Sequence, residues 1–221
     1  MLYSCWSAKG GSGTTVVAAT LAMLFARRSD AGALFVDAGG DAAAVLGVPE
    51  PDGPGVADWL AAGDGAPIDS LRRLEVDLGA NLRLVPHGGR ALPAGAHRAE
   101  LLAELLATDR RDVVVDCGLV QSYPSSDVPR VLAAAGTRSL LVTRPCYLSL
   151  RRAGALPFRP SAVVLVDEPG RALTPADVEA VLDVPVLASV VFDPAIARAV
   201  DAGLLMARLP RPLERVAKWA S

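Results

Sequence analysis

The residues best suited to chemistry stand near the start of the chain, in Lys9-Gly10-Gly11-Ser12-Gly13-Thr14-Thr15. Glycines at 10, 11 and 13 free the backbone to wrap an anion, so that successive N–H groups point inward at phosphate oxygens. An apolar stretch that reads as a helix follows at once, and its N-terminus adds a positive dipole end and unpaired N–H groups. The usual phosphate loop is GxxxxGK[ST], in which the lysine reaches the β/γ-phosphates and the hydroxyl ligates Mg2+. Gly13 and Thr15 fit this spacing, but Thr14 stands where the lysine belongs. A charge-assisted phosphate contact contributes roughly 1.5–3 kcal/mol, so its loss weakens affinity about ten- to hundred-fold. Turnover suffers more, because charge stabilisation of the transferring group is the protein's main contribution. Binding without efficient turnover is therefore the expectation, and a tight turn with no ligand is the competing one.

Other chemistry-bearing residues read as structural. Asp112 and Asp127 are expected at a strand end and a helix cap rather than as a catalytic pair with Asp116. Ser4, Ser7 and Ser12 have no His/Asp partners in a triad pattern. Cys5, Cys117 and Cys146 are isolated among apolar residues and read as core, while His87 and His97 read as loop and helix surface. No CxxC or Cys/His metal spacing occurs.

The elements that must hold the loop alternate in type. Short Val- and Leu-rich runs predict strands at Leu2–Trp6, Ala33–Val36, Leu82–Val85, Val113–Val115, Ser139–Val142, Ala162–Val166 and Val186–Val190. Between them, helical patterns cover Thr15–Arg27, Ala96–Ala107, Ser126–Ala135, Tyr147–Ala153, Pro175–Leu182 and Pro194–Ala202. Thr174-Pro175 and Asp193-Pro194 each place a capping residue before a proline at the first helical position. A last helix is expected at Leu213–Ala220, after the Pro210/Pro212 break. Pro49–Gly65, with one amphipathic turn at Val56–Leu60, reads as a long connection on the binding edge of the sheet. This alternation implies a single α/β domain over residues 1–221: a mostly parallel sheet with helices on both faces and the glycine loop at the carboxyl edge.

Composition narrows the function classes. Hydrophobic residues make up 52% of the 221, which supports a packed core, yet aromatics are only 5%, so Ala, Val and Leu must build it. No apolar run reaches the roughly 18 residues of a membrane span, and the N-terminus lacks the features of a signal peptide. A cytoplasmic location is expected. Residues 1–137 carry 11 Lys+Arg against 16 Asp+Glu, whereas residues 138–221 carry 11 against 8. The surplus of base in the second part is small and interleaved with acids, so a solvated surface is favoured over a nucleic-acid face.

The early lysine, in Ser7-Ala8-Lys9-Gly10-Gly11, resembles the deviant phosphate loop KGGxGK[ST] of the ParA/MinD family of dimeric ATPases. Leu34-Phe35-Val36-Asp37 is similar to that family's strand and acid after the first helix, and Gly40-Asp41-Ala42-Ala43-Ala44-Val45-Leu46-Gly47 to its "GDLA…LGL" stretch. Val113-Val114-Val115-Asp116 resembles its Walker B strand, with Gly118 beside the switch. Ser139–Thr143 with the helix from Tyr147, and the Asp193–Gly203 stretch, match later elements in order, so the likeness runs from Leu2 to Leu209. The resemblance implies a P-loop NTPase fold binding ATP or ADP through Lys9, Gly10, Gly11, Ser12, Gly13, Thr14 and Thr15. It implies Mg2+ near Thr15, Asp37 and Asp116, with Lys9 reaching a partner's nucleotide across a homodimer and Asp37 serving catalysis.

Four departures bear on activity: Thr14 for lysine, Gly39 where a second acid is usual, a shortened switch stretch from Asp37 to Asp41, and Val166-Asp167-Glu168 where an adenine-contacting Asn is common. A nucleotide-dependent switch for intracellular positioning or partitioning, with a protein partner and weak or absent hydrolysis, is the first expectation. A non-hydrolysing scaffold on the same fold is the second, and a metabolic synthase of the wider family the third. Contact with DNA through Arg151, Arg152 and Arg159, or with a membrane through the terminal helix, is a further option. Against it stand solvation of those arginines and packing of that helix.

Overall fold

In a computed structural model of the chain, residues 1–63, 67–95 and 97–207 are described. The expected terminal helix at Leu213–Ala220 lies outside them. The strands are β1 (Leu2–Ser7), β2 (Ala33–Asp37), β3 (Val76–Asp77), β4 (Leu82–Val85), β5 (Asp112–Leu119), β6 (Arg138–Thr143), β7 (Ala162–Asp167) and β8 (Val186–Val191). They form one sheet in the order β3-β4-β2-β5-β1-β6-β7-β8. Every pairing is parallel except β3 with β4. All seven strands expected from the sequence are present, with ends shifted by a few residues. The eighth, β3, is two residues long and carries no periodicity to read.

The helices are α1 (Thr14–Arg28), α2 (Ala42–Leu46), α3 (Val56–Ala61), α4 (His97–Ala107), α5 (Val128–Ala135), α6 (Tyr147–Gly154), α7 (Pro175–Leu182) and α8 (Pro194–Asp201), with a 3-10 helix at Ile68–Leu74. The strand alternation decides which face each helix covers. Leu2, Trp6, Leu34, Val36, Val113 and Val115 point into a core with residues of α3, α4, α5, α6 and α7. Tyr3, Cys5, Phe35, Leu84, Val114 and Val142 point the other way, against α1, α2 and the partly buried Ile196 and Val200 of α8. The largest side chains are placed singly: Tyr3 packs on Phe25 at 4.6 Å and Trp6 on Phe158 at 5.0 Å between ring centroids. The rest of both cores is aliphatic and alanine, as 5% aromatics required.

β1 lies between β5 and β6. From it the chain runs to β2 on one side, returns through β5, and then builds outward through β6, β7 and β8 on the other. The carboxyl end of β1 is thus the point where the winding reverses, which is where open parallel sheets bind ligands. The glycine loop sits there.

Candidate phosphate-binding site

The loop is shaped by its glycines. Gly11 and Gly13 adopt φ +75 and +87, values that a residue with a side chain resists, and Gly13 is the left-handed N-cap of α1. The Ser12 hydroxyl donates to the Lys9 carbonyl at 2.7 Å, closing the turn from within. Gly10 and Gly11 are exposed, and a Cβ at either would meet nothing within 4 Å, so the space beside them is open. No side chain caps the N-terminus of α1, and its first turn holds no acid. Those free N–H groups and the dipole suit an anion. Thr14 is buried at the first turn of α1 and supplies no charge; Thr15 beside it is half-buried.

Two carboxylates flank the loop. Asp37, the last residue of β2, and Asp116, within β5, are register partners, and both are buried. Asp37 is engaged on both oxygens: Oδ1 accepts the Gly40 N–H at 2.6 Å and Oδ2 the Ala42 N–H at 2.9 Å. Its carboxylate therefore shapes the Ala38–Asp41 loop and starts α2. Burial raises its pKa, against those N–H bonds and the nearby His87.

Asp116 differs. Oδ1 accepts the Gly118 N–H at 2.9 Å, but Oδ2 is buried without a hydrogen-bond partner among the described residues. Burial pushes its pKa up to about 6, opposed by the Thr15 hydroxyl and the Gly118 N–H and reinforced by Asp37. An orphaned buried oxygen costs about 1–3 kcal/mol, so this one invites a ligand. It faces Gly39, where a Cβ would lie 3.0 Å from it, so a side chain at that position would crowd the Asp116 carboxylate. Among the described residues no three His, Cys, Asp or Glu side chains are grouped to hold a metal. A divalent cation here would draw on Thr15 and Asp116 and complete its shell from phosphate and water, as Mg2+ commonly does.

Beside the loop opens a cleft of about 300 Å³, lined by Gly11 to Gly13, Val166 of β7, Val190 and Val191 of β8, Phe192, and Ile196 and Val200 of α8. Its walls are apolar, as a flat heterocycle requires. Val166 lines it, whereas Glu168 is turned into ion pairs with Arg171 and Arg144. Arg144, at the end of β6, also lines the cleft.

All the residues expected from the loop and the two acids converge on one edge of the sheet. Two further residues stand beside them. Arg144 stands alone in a strand-end Thr-Arg-Pro, and no motif signals it. His87, expected as plain surface, is half-buried with its ring 3.7 Å from a Cβ built on Gly40. His97 is exposed as expected.

Two expectations are corrected. Cys146 is not core: it is only half-buried at the N-cap of α6, where the N–H groups of Ser149 and Leu148 hold its thiol below its usual pKa. Cys5 and Cys117 are buried, and burial raises both thiols. Asp127 occupies the N-cap of α5 but pairs with Arg130 at 2.6 Å; the Ser126 hydroxyl accepts the Val128 N–H in its place. Asp112 opens β5 and binds the N-terminal ammonium at 3.2 Å.

No protein-family model matches the sequence, and no curated protein sequence matches it. Solved structures do match. MinD of Pyrococcus horikoshii, complexed with Mg-ADP, is 20% identical with a TM-score of 0.76, covering 99% of this chain and 95% of that one. A ParA family ATPase of Chlorobium tepidum is 21% identical with a TM-score of 0.71, covering 99% and 96%. A chain of the MinC:MinD cell division complex of Aquifex aeolicus is 16% identical with a TM-score of 0.73, covering 100% and 96%. The fold is therefore the P-loop NTPase fold of the ParA and MinD proteins, as the resemblance implied.

Proposed function

We propose that this protein is a ParA/MinD-type nucleotide switch that binds ATP or ADP with Mg2+ and hydrolyses it weakly or not at all. The observation that carries this reading is the open space beside the glycine loop at the head of α1, set against the orphaned Oδ2 of Asp116. Backbone N–H groups of Gly10 to Thr15 hold the phosphates, and the Thr15 hydroxyl and Asp116 hold the cation, which supplies charge neutralisation at the phosphates. The apolar cleft takes the base. MinD of P. horikoshii, with the same fold, is complexed with Mg-ADP.

Weak turnover follows from two features. Thr14 is buried and uncharged, and both oxygens of Asp37 are committed to backbone N–H groups, so that carboxylate is poorly placed to orient a water.

The same edge suits a second protomer. Leu119, Tyr123, Tyr147 and Leu148 are exposed there, with Tyr123 97% and Tyr147 72% accessible, around the strand ends beside β1. Large apolar side chains gathered on one face mark an association surface. Lys9, half-buried on the rim of the loop, is the residue that would reach the partner's nucleotide. A switch built this way acts in positioning or partitioning a cargo through a protein partner, and MinD is solved in complex with MinC.

Thermal melts with and without ATP and Mg2+ test the reading. A shift that requires both is expected; no shift at millimolar ATP would remove the switch and leave a scaffold on the same fold. In sizing experiments, ATP is expected to dimerise the wild type and not Lys9→Ala.

A further inference from the structure

Among the described residues, Arg144 is the only basic one lining the cleft beside Gly11 to Gly13. Its backbone is held firmly. Thr143 is buried at the end of β6, its hydroxyl bonded to Ser149 at 2.7 Å and to the Arg144 carbonyl at 3.1 Å. Pro145 follows and restricts Arg144 to extended conformations.

The guanidinium is under-committed for its position. Its Nε is buried without a partner among the described residues. The guanidinium lies over Phe192, 5.1 Å from the ring centroid. Among the described residues its one ion pair, Nη1 to Glu168, is long at 3.4 Å. Glu168 does not depend on that pair, because Arg171 holds it at 2.5 Å and 2.7 Å. The Arg171 contact is also the main cause of the depressed Glu168 pKa, with Arg144 and Lys9 weaker contributors. Releasing Arg144 therefore strands no carboxylate.

We infer that Arg144 supplies, from the end of β6, the phosphate-directed cation that the loop lacks at Thr14, turning from Glu168 to a phosphate oxygen of the bound nucleotide. The inference rests on the nucleotide-switch reading. A guanidinium is suited to the task, since its donors form a planar fork and it keeps its charge when partly buried. It enters from the β6 side of the loop rather than from α1. It can therefore grip the anion for binding without standing where a loop lysine would follow the transferring group.

Calorimetric titration of the full chain with ATP, ADP and adenosine tests the assignment. If the wild type binds neither nucleotide, the switch reading falls before any variant is made. If it binds, Arg144→Ala is expected to weaken ATP and ADP by about ten-fold or more while sparing adenosine, the loss of one charge-assisted phosphate contact. Arg144→Gln, which keeps a polar side chain at the strand end and removes the charge, is expected to do the same while the protein still melts cooperatively. Unaltered ATP affinity in both variants overturns the inference, and so does an equal loss for adenosine, which would mean that Arg144 only packs the cleft. Adding Thr14→Lys to Arg144→Gln is expected to restore ATP binding.

Discussion

At the scale of single residues, the two acids beside the loop have diverged in role. Asp37 spends both oxygens on the N–H groups of Gly40 and Ala42, whereas Asp116 has one buried oxygen without a hydrogen-bond partner among the described residues. That oxygen has a thermodynamic signature. Burial raises the folded-state pKa of Asp116 from 3.8 to about 6, so between those values the folded chain holds more protons than the unfolded one. Stability then falls as pH rises through that window, and the cost stays in full above it. Asp116→Asn removes the cost. In chelator and without nucleotide, it is expected to stabilise the protein by roughly 1–3 kcal/mol at neutral pH. It should also flatten the decline between pH 3.8 and about 6. Melts across pH read both effects, and an unchanged melting temperature at pH 7 would show that Asp116 carries no such burden.

At the scale of elements, the helices on the α1 face meet through glycine. Gly47 ends α2 at φ +75, and a Cβ there would lie 2.1 Å from the Gly203 carbonyl oxygen just beyond α8. The contact is one-sided, since a Cβ on Gly203 would sit 3.4 Å from Gly47 Cα. Gly47→Ala is therefore expected to cost roughly 2 kcal/mol or more, from left-handed strain plus a backbone clash. Gly203→Ala, at φ +65, is expected to cost less. Urea midpoints at constant slope give the comparison. The sequence showed these glycines in a resemblance to "LGL" and a late "A…G" helix. It did not show that they touch, because residues 47 and 203 meet only once both helices are packed on one face.

At the scale of the whole molecule, the carboxyl edge gathers three things that the chain keeps far apart: the loop after β1, the acids Asp37 of β2 and Asp116 of β5, and the exposed Leu119, Tyr123, Tyr147 and Leu148. If that edge closes on a second protomer, Tyr123→Ser with Tyr147→Ser is expected to abolish ATP-dependent dimerisation. Monomer stability should move by no more than about 0.5 kcal/mol, as for exposed sites in general. Light scattering with and without ATP, beside a melt, separates the two effects; dimerisation that persists in the double variant would place the interface elsewhere.

The amino-acid sequence alone determined most element types, since short apolar runs and helical patterns are local, though α2 and the 3-10 helix at Ile68–Leu74 escaped it; it also determined the glycine loop, since glycine's freedom is a property of single residues. It also showed the loss at Thr14, which is a matter of spacing within one motif. The strand order, the edge strand β3, the commitment of Asp37 to Gly40 and Ala42, and the placing of Arg144 beside Gly11 to Gly13 were decided by the tertiary structure. These depend on which segments distant in sequence the sheet sets side by side, and no local pattern encodes that. The phosphate loop is legible in seven consecutive residues, but the cation we assign to it comes from the end of a neighbouring strand.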